Sequence, residues 1–154
     1  MPHPNRANLD PMSSEARGRV LSVNLARLRP NPETREAALL GVEAMTGIEK
    51  IPTPEPVLVR APGTKSGGLG SGLVGDVVCD RHNHGGDTQA VYAYAREDLD
   101  YWEPVLGRTL PGGVFGENLT TMGVDVDAAV IGERWRIGEL ELQVTVPRIP
   151  CGPF

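Results

Sequence analysis

Glycine and proline recur throughout this sequence and break its apolar runs into short pieces. The chain has 19 glycines and 14 prolines among 154 residues, whereas aromatic residues make up only 5%. Both residue types favour turns and weaken helix interiors. We therefore expect a mainly β chain, a β-rich α+β fold with short strands and many turns, and not a helical bundle.

Alternation of apolar and polar residues predicts the strands. The clearest pattern is ELELQVTV, where Leu140, Leu142, Val144 and Val146 alternate with polar residues. Weaker patterns of the same kind complete the set. The predicted strands lie near residues 20–26, 57–61, 73–79, 89–95, 129–137 and 139–147. We expect them to form one mixed or antiparallel barrel-like sheet.

Residues 96–106, REDLDYWEPVL, give the best helical pattern in the chain. Leu99 and Trp102 fall on one helical face, acidic residues come early, and Gly107 suits the C-terminal cap. Pro104 is expected to shorten or kink this helix. The helix should pack outside the sheet.

Charge and organisation exclude several classes of protein. The net charge is −5, with no basic run longer than two residues, so we expect no nucleic acid partner. No apolar run approaches the roughly 20 residues that span a bilayer.

Residues 1–17 are proline-rich and predict a disordered lead-in before one domain at 18–154. With two cysteines, Cys79 and Cys151, and no charged-then-apolar leader, we expect reduced thiols and a cytoplasmic protein.

Cys151 is the first candidate for chemistry. It follows Pro147 and Pro150, which interrupt strand pairing and leave the thiol outside a regular ladder. Arg148 could stabilise the thiolate or bind an anionic ligand. The competing interpretation is a small buried residue at a strand end. Cys79 lies within the apolar run VVCD, which favours a buried structural role.

Asp80, His82 and His84 alternate, and on a continuing strand they would face one side, as two imidazoles and a carboxylate on a metal require. A zinc-stabilised β domain is one hypothesis from this pattern. The alternative is a loop in which His84 and the Gly85-Gly86 amides form a small anion nest. Two consecutive glycines favour the loop.

Gly116-Glu117-Asn118-Leu119-Thr120 brings a carboxylate, an amide and a hydroxyl together at a strand end. These groups could hold a heterocycle by its donor and acceptor edge, although a turn with Asx capping gives the same pattern. The glycines at 63–75 do not match a phosphate-binding GxxxxGK[ST] loop, and the serines lack a nucleophile elbow.

Three segments carry a resemblance to a known family: GLVGDVVCDRHNHGGDTQAVYAYAREDLDYW, FGENLTT followed by IGERWRIG, and LQVTVPRIPC. With HGG, GENLT and PRxPC in this order and spacing, residues 18–154 resemble the MOSC domain, named for the C-terminal domain of molybdenum cofactor sulfurases. The likeness is to its small stand-alone bacterial members of the YiiM type. It implies a MOSC-type β-barrel with peripheral short helices.

The resemblance also implies a function. It predicts binding of the molybdenum cofactor, a pterin dithiolene that carries a phosphate, with Cys151 as the molybdenum ligand and catalytic residue. The cofactor-binding residues implied by the family motifs are His84, Gly85, Gly86, Glu117, Asn118 and Arg148. The implied activity is an oxidoreductase that reduces N-hydroxylated bases or related compounds. The alternative is a non-catalytic carrier of the cofactor or of persulfide sulfur on Cys151. Pyridoxal phosphate, which belongs to a separate sulfurase domain, is not expected in this chain.

Relatives of this type continue well past the PRxPC cysteine, whereas this sequence stops three residues after Cys151. We therefore expect a barrel that lacks its C-terminal closing elements, with an unpaired edge that favours a homodimer or marginal stability. The expected partners are an N-hydroxylated small molecule and a redox partner protein, with no membrane. We further predict that Cys151 lies close to His84 and Arg148, that Glu117 lines the same cavity, and that Cys79 is buried and remote.

Overall fold

A computed structural model describes residues 18–31 and 44–149 of the chain. The predicted lead-in at 1–17 and the cysteine at 151 lie outside these ranges. Strand residues outnumber helical residues in the described part, in agreement with a mainly β fold. The elements are β1 (Arg19–Ala26), β2 (Arg29–Pro30), β3 (Met45–Thr46), β4 (Lys50–Thr53), a 3-10 helix (Asp87–Gln89), β5 (Ala93–Ala95), α1 (Arg96–Leu106), β6 (Leu119–Met122), β7 (Arg134–Ile137) and β8 (Leu140–Gln143).

The main sheet has four strands in the order β4-β1-β6-β5. β1 pairs antiparallel with both neighbours, and Val23 stands opposite Thr53 on β4 and Leu119 on β6. β5 pairs in parallel with β6, and α1 lies in the connection between them. Parallel neighbours need such a crossover. The sheet is therefore mixed, and β1 and β6 are its two inner strands.

The predicted helix at 96–106 is confirmed with the same bounds. Gly107 caps its C-terminus at φ 63°, a left-handed conformation that glycine adopts without strain. Pro104 lies inside the helix and does not end it. Leu99 is buried, whereas Trp102, predicted on the same face, is 40% exposed. The helix thus packs against the sheet through a narrower apolar face than its periodicity predicts.

The predicted strands at 57–61 and 73–79 are wrong. Between these segments the structure has a single antiparallel bridge, from Val59 to Leu73. Gly75 then turns the chain at φ 92°, and the Asp76 carboxylate accepts a hydrogen bond from the Ala26 amide at 2.8 Å. The Asp76 side chain therefore binds the Ala26 amide in place of a partner strand. The strand predicted at 89–95 shortens to Ala93–Ala95 because the chain before it forms the 3-10 helix.

The strands predicted at 129–137 and 139–147 shorten to β7 and β8, which form a separate two-stranded hairpin. Gly138 supplies the positive φ of its turn. Within residues 18–31 and 44–149 the strands make one four-stranded and two two-stranded sheets, so these strands do not close into the expected barrel. No helix in that part of the chain combines the length and apolar character needed to span a membrane.

The apolar core combines residues of α1, β5 and β6 with residues of two loops. It consists of Leu73, Ala95, Leu99, Leu110 and Leu119. Leu99 comes from the helix and Ala95 and Leu119 from the two parallel strands, so this core fixes the β5-α1-β6 unit. A second buried region, made of polar side chains, lies beside it and is described with the candidate site.

Candidate functional site

His84 and Arg148, which are 64 residues apart in the sequence, meet in the structure. Arg148 Nη1 lies 3.1 Å from His84 Nδ1. Because a guanidinium can only donate, Nδ1 accepts and the imidazole proton resides on Nε2. Burial and the adjacent Arg148 charge lower the pKa of His84, which keeps the ring neutral. The pair thus presents a cation and a neutral N–H donor at one place.

Tyr92 is a second residue that contacts the arginine. Arg148 Cζ lies 5.5 Å from the centre of the Tyr92 ring, within the range of a cation–π contact. Tyr94 and Phe115 extend the aromatic cluster, with ring centres 5.3 Å apart. Burial raises the pKa of Tyr92, so its phenol stays protonated. Arg148 therefore contacts both an imidazole and an aromatic ring.

Gly85 and Gly86 have φ values of 88° and 80°, where other residues are strained. A Cβ on Gly85 would come within 2.8 Å of the Gly70 carbonyl oxygen, and one on Gly86 within 2.8 Å of the Lys65 nitrogen. The Gly86 amide donates to Gly70 O at 2.9 Å. The two glycines therefore let the HGG turn pack closely on the 63–70 loop. The hypothesis that the Gly85 and Gly86 amides form an anion nest is wrong for Gly86, because the Gly86 amide already donates to Gly70 O.

Asp80 closes the turn that precedes His84. Its carboxylate accepts hydrogen bonds from the amides of His82 and Asn83, each at 3.2 Å, and from Asn83 Nδ2 at 2.9 Å. The segment is a loop, as the paired glycines predicted. Among the described residues no three His, Cys, Asp or Glu side chains converge to hold a metal, so the zinc hypothesis for Asp80, His82 and His84 is wrong.

Glu117 is completely buried. One carboxylate oxygen accepts hydrogen bonds from the Gly113 amide at 2.6 Å and from Thr120 Oγ1 at 3.1 Å, and the other accepts from the Phe115 amide at 3.0 Å. Burial raises the pKa of Glu117, although these donors lower it in part. In the described structure this side chain binds its own loop, and it fixes the turn that leads into β6.

Asn118 is likewise committed to the protein. Its Oδ1 accepts from the Tyr92 amide at 3.2 Å, and its Nδ2 donates to Asp76 Oδ2 at 2.9 Å and to Asn24 O at 3.3 Å. The buried Asn24 in turn donates to Glu117 O at 3.1 Å. The GENLT segment therefore ties β1 to the start of β5 and so sets where Tyr92 stands.

A buried ion pair, which contacts the GENLT segment through Asn118, was not identified from the sequence. Lys50 Nζ lies 2.6 Å from Asp76 Oδ1, and the two side chains are 8% and 1% exposed. Ser71 Oγ donates to the other Asp76 oxygen at 2.7 Å. Burial alone would raise the pKa of Asp76, but Lys50, Ser71 and Asn118 together hold it below its ordinary value. Two features of the sequence could have indicated this ion pair. Asp76 is an acid inside the apolar run LVGDVV, and Lys50 is one of only two lysines in the chain.

Cys79 was predicted to be buried, and it is exposed. The prediction failed because the strand expected at 73–79 does not form, so the VVCD run stays at the surface. Cys151 lies outside the described residues, and its predicted proximity to His84 and Arg148 stays a prediction.

The segment that leads to Arg148 runs beside the 3-10 helix. Thr145 Oγ1 donates to Thr88 O at 2.7 Å, three residues before Arg148 reaches His84. Gln89, at the end of this helix, has a buried amide oxygen with no hydrogen-bond partner among the described residues. Neither Gln89 nor Tyr92 was singled out from the sequence, because the pattern of a single chain gives no signal for them.

A cleft of about 430 Å³ opens elsewhere, at the start of α1. Its lining residues are Ala95, Glu97, Asp98, Gly123, Val124, Asp125 and Val126. Burial and the neighbouring acids raise the pKa of Asp98. This acidic cleft contains none of the predicted site residues, and its charge is unsuited to an anionic ligand.

Known proteins match the chain over much of its length. It is similar to the uncharacterized protein YflK of Bacillus subtilis (strain 168), at 36% identity over 132 residues, which are 86% of this chain and 53% of YflK. It is similar to the protein YiiM of Escherichia coli (strain K12), at 37% identity over 83 residues, which are 52% of this chain and 37% of YiiM. A protein named reductase from Gibberella moniliformis is 29% identical over 143 residues, with 76% of this chain and 26% of that protein covered.

The crystal structure of YiiM from Geobacillus stearothermophilus has a similar fold, with a TM-score of 0.55 and 23% identity over 88% of this chain and 53% of that one. The chain thus spans about half or less of the length of these relatives. The MOSC domain profile matches residues 80–154, a range that includes His84, Glu117 and Arg148. From this match and the similarity to YflK and YiiM, the chain belongs to the MOSC domain family.

Proposed function

We propose that this chain binds the molybdenum cofactor and belongs to an oxidoreductase that reduces N-hydroxylated bases or related compounds, with Cys151 as the molybdenum ligand. The observation that carries the proposal is the contact between Arg148 and His84. It brings His84 of the HGG motif next to Arg148 of the PRIPC motif, and Cys151 follows Arg148 by three residues in the sequence. The fungal relative named reductase supports the redox class.

The donor set around this contact fits the cofactor. Arg148 supplies a guanidinium, and Lys65, whose ammonium donates to Asn83 O at 3.1 Å, adds a second positive charge near His84. Both suit a phosphate. The buried oxygen of Gln89 supplies an acceptor with no partner among the described residues, and a pterin carries N–H donors. A soft thiolate such as that of Cys151 suits molybdenum.

Each residue then has a role that its chemistry permits. Arg148 binds the anionic group, and His84 holds its proton on Nε2 as a hydrogen-bond donor. Gly85 and Gly86 bring the HGG backbone close to the 63–70 loop, so that Lys65 of this loop lies near His84. Glu117 and Asn118 position the segment beneath the aromatic cluster. When bound, the molybdenum cofactor supplies a redox centre for a two-electron reduction.

The overall reaction needs an electron donor in addition to this chain and its ligand. The N–O bond of the N-hydroxylated compound breaks, two electrons and two protons are consumed, and the amine and one water are released. A redox partner protein supplies the electrons. The protein itself contributes binding and orientation through Arg148 and His84, and the thiolate of Cys151 as a metal ligand.

Molybdenum content after anaerobic purification from a host that makes the cofactor tests the proposal. We expect molybdenum in the parental protein, and loss of both metal and reductase activity in Cys151→Ser. Cys79→Ser is the matched control, because Cys79 is exposed and not among the site residues. A parental protein without molybdenum, or a Cys151→Ser variant that keeps full activity, would contradict the proposal. A mass increase of one sulfur atom on Cys151 without turnover would replace it with the persulfide carrier.

A further inference from the structure

Gln89 carries a buried polar atom that the described residues leave without a hydrogen-bond partner. Its Oε1 is buried, yet no donor reaches it from the described residues. Buried amide oxygens nearly always accept a hydrogen bond, because an unpaired one loses its water contacts without replacement. On the segment that also carries His84 and Tyr92, an unpaired buried acceptor points to a donor that a ligand supplies.

Hydrogen bonds hold the main chain at Gln89 and on both sides of it. The Gln89 amide donates to Gly86 O at 2.9 Å, and the next carbonyl, that of Ala90, accepts from the Gly72 amide at 2.8 Å. Thr145 binds the Thr88 carbonyl one residue earlier. Gln89 thus stands on a braced segment beside the 145–148 chain.

The same segment carries two residues that contact Arg148. His84 lies five residues before Gln89 and Tyr92 three residues after it, and each touches the guanidinium. Arg148 and Lys65 can only donate hydrogen bonds. Gln89 therefore contributes what these cations lack, an acceptor for an N–H group.

We propose that Gln89 Oε1 accepts a hydrogen bond from an N–H group of the ligand bound next to Arg148 and His84. This inference rests on the proposed function and names a residue that selects nitrogen-bearing ligands within it. Two sources carry that chemistry, the pterin of the molybdenum cofactor and the N-hydroxylated base. The experiment distinguishes them.

Gln89→Met removes the acceptor and nearly keeps the side-chain volume. We expect an unchanged or higher thermal midpoint, because a buried unsatisfied atom is removed. If the pterin is the donor, molybdenum and pterin per protein fall about two- to tenfold, the range expected for one hydrogen bond. If the base is the donor, loading stays the same and KM rises by a similar factor. Gln89→Glu keeps an acceptor and is expected to retain loading and KM.

Gln143→Met is the matched control, since Gln143 is exposed on β8, and it should change neither loading nor KM. Loading and KM that both stay at parental values in Gln89→Met would overturn the inference, as would a fall in thermal midpoint that parallels the loss of ligand. Loss of ligand in Gln89→Glu equal to that in Gln89→Met would also overturn it. These results require a loaded parental protein. A parental protein without cofactor contradicts the proposed function, and the inference with it.

Discussion

Two polar regions of this protein differ in how their hydrogen-bonding groups are used. We call the first the inner network, which consists of Asn24, Lys50, Asp76, Glu117 and Asn118. We call the second the outer cluster, which consists of His84, Gln89, Tyr92 and Arg148. The inner network is buried, and both carboxylates in it accept hydrogen bonds on each oxygen. The outer cluster is half-buried and keeps an acceptor for which the described residues supply no donor.

The difference separates polar chemistry that builds the fold from polar chemistry available to a ligand. A buried and satisfied network specifies one arrangement of its loops, and removal of one member leaves another without its partner. Asp76 and Asn118 thus hold the 71–76 turn and the GENLT segment against β1. Substitutions in the inner network should therefore lower stability, whereas substitutions in the outer cluster should mainly change binding.

The largest expected effect is that of Asp76→Asn. The substitution leaves the ammonium of Lys50 buried without its counter-charge, which costs about 3–5 kcal/mol of unfolding free energy. Urea denaturation measures it. Lys50→Met combined with Asp76→Asn removes the uncompensated charge and should recover part of the loss. A loss below about 1 kcal/mol, the range of surface ion pairs, would show that the pair is not structural.

Glu117→Gln should have the next largest effect. One oxygen of Glu117 accepts from Gly113 and Thr120 and can be kept by the glutamine carbonyl, but the amide nitrogen then faces the Phe115 amide, which is itself a donor. An unsatisfied buried donor costs about 1–3 kcal/mol. Thermal unfolding measures this change, with Glu141→Gln on the exposed face of β8 as the control. Equal midpoints for the two variants would place Glu117 outside the inner network.

Mild acid should have the smallest effect on stability, and it acts on the outer cluster. The pKa of His84 in the folded protein is below its ordinary value of 6.5, so the unfolded chain binds the proton more readily. The stability that the neutral ring contributes is therefore complete above pH 6.5 and is lost as the pH falls through 6.5 towards the lowered pKa.

Thermal midpoints measured across this range for the parental protein and for His84→Gln test the assignment. The parental midpoint should fall with acid more than that of the variant, because a protonated His84 repels Arg148. His82→Asn, at an exposed position in the same loop, should keep the parental pH dependence. Identical pH dependences of the thermal midpoint for the parental protein and His84→Gln would show that His84 does not belong to the outer cluster.

Local sequence patterns were sufficient to predict the elements whose conformation depends on neighbouring residues in the sequence. The helix at 96–106 follows from its periodicity and from Gly107 as its cap, and the 81–87 loop follows from the Gly85-Gly86 pair. The motifs HGG, GENLT and PRIPC were enough to indicate the family, which the comparisons confirm. In each case the determining information lies within a few residues.

Only the tertiary structure decided the features that depend on distant partners. Residues 73–79 are apolar enough for a strand, but Asp76 among them binds the Ala26 amide and Lys50. The run therefore turns, and Cys79 stays exposed. Glu117 and Asn118 resembled ligand-binding groups in sequence. In the structure the Glu117 carboxylate binds its own loop, and the Asn118 amide binds neighbouring segments. Sequence spacing determines which groups exist and their chemistry, whereas long-range packing determines whether each is satisfied by the protein or left for a ligand.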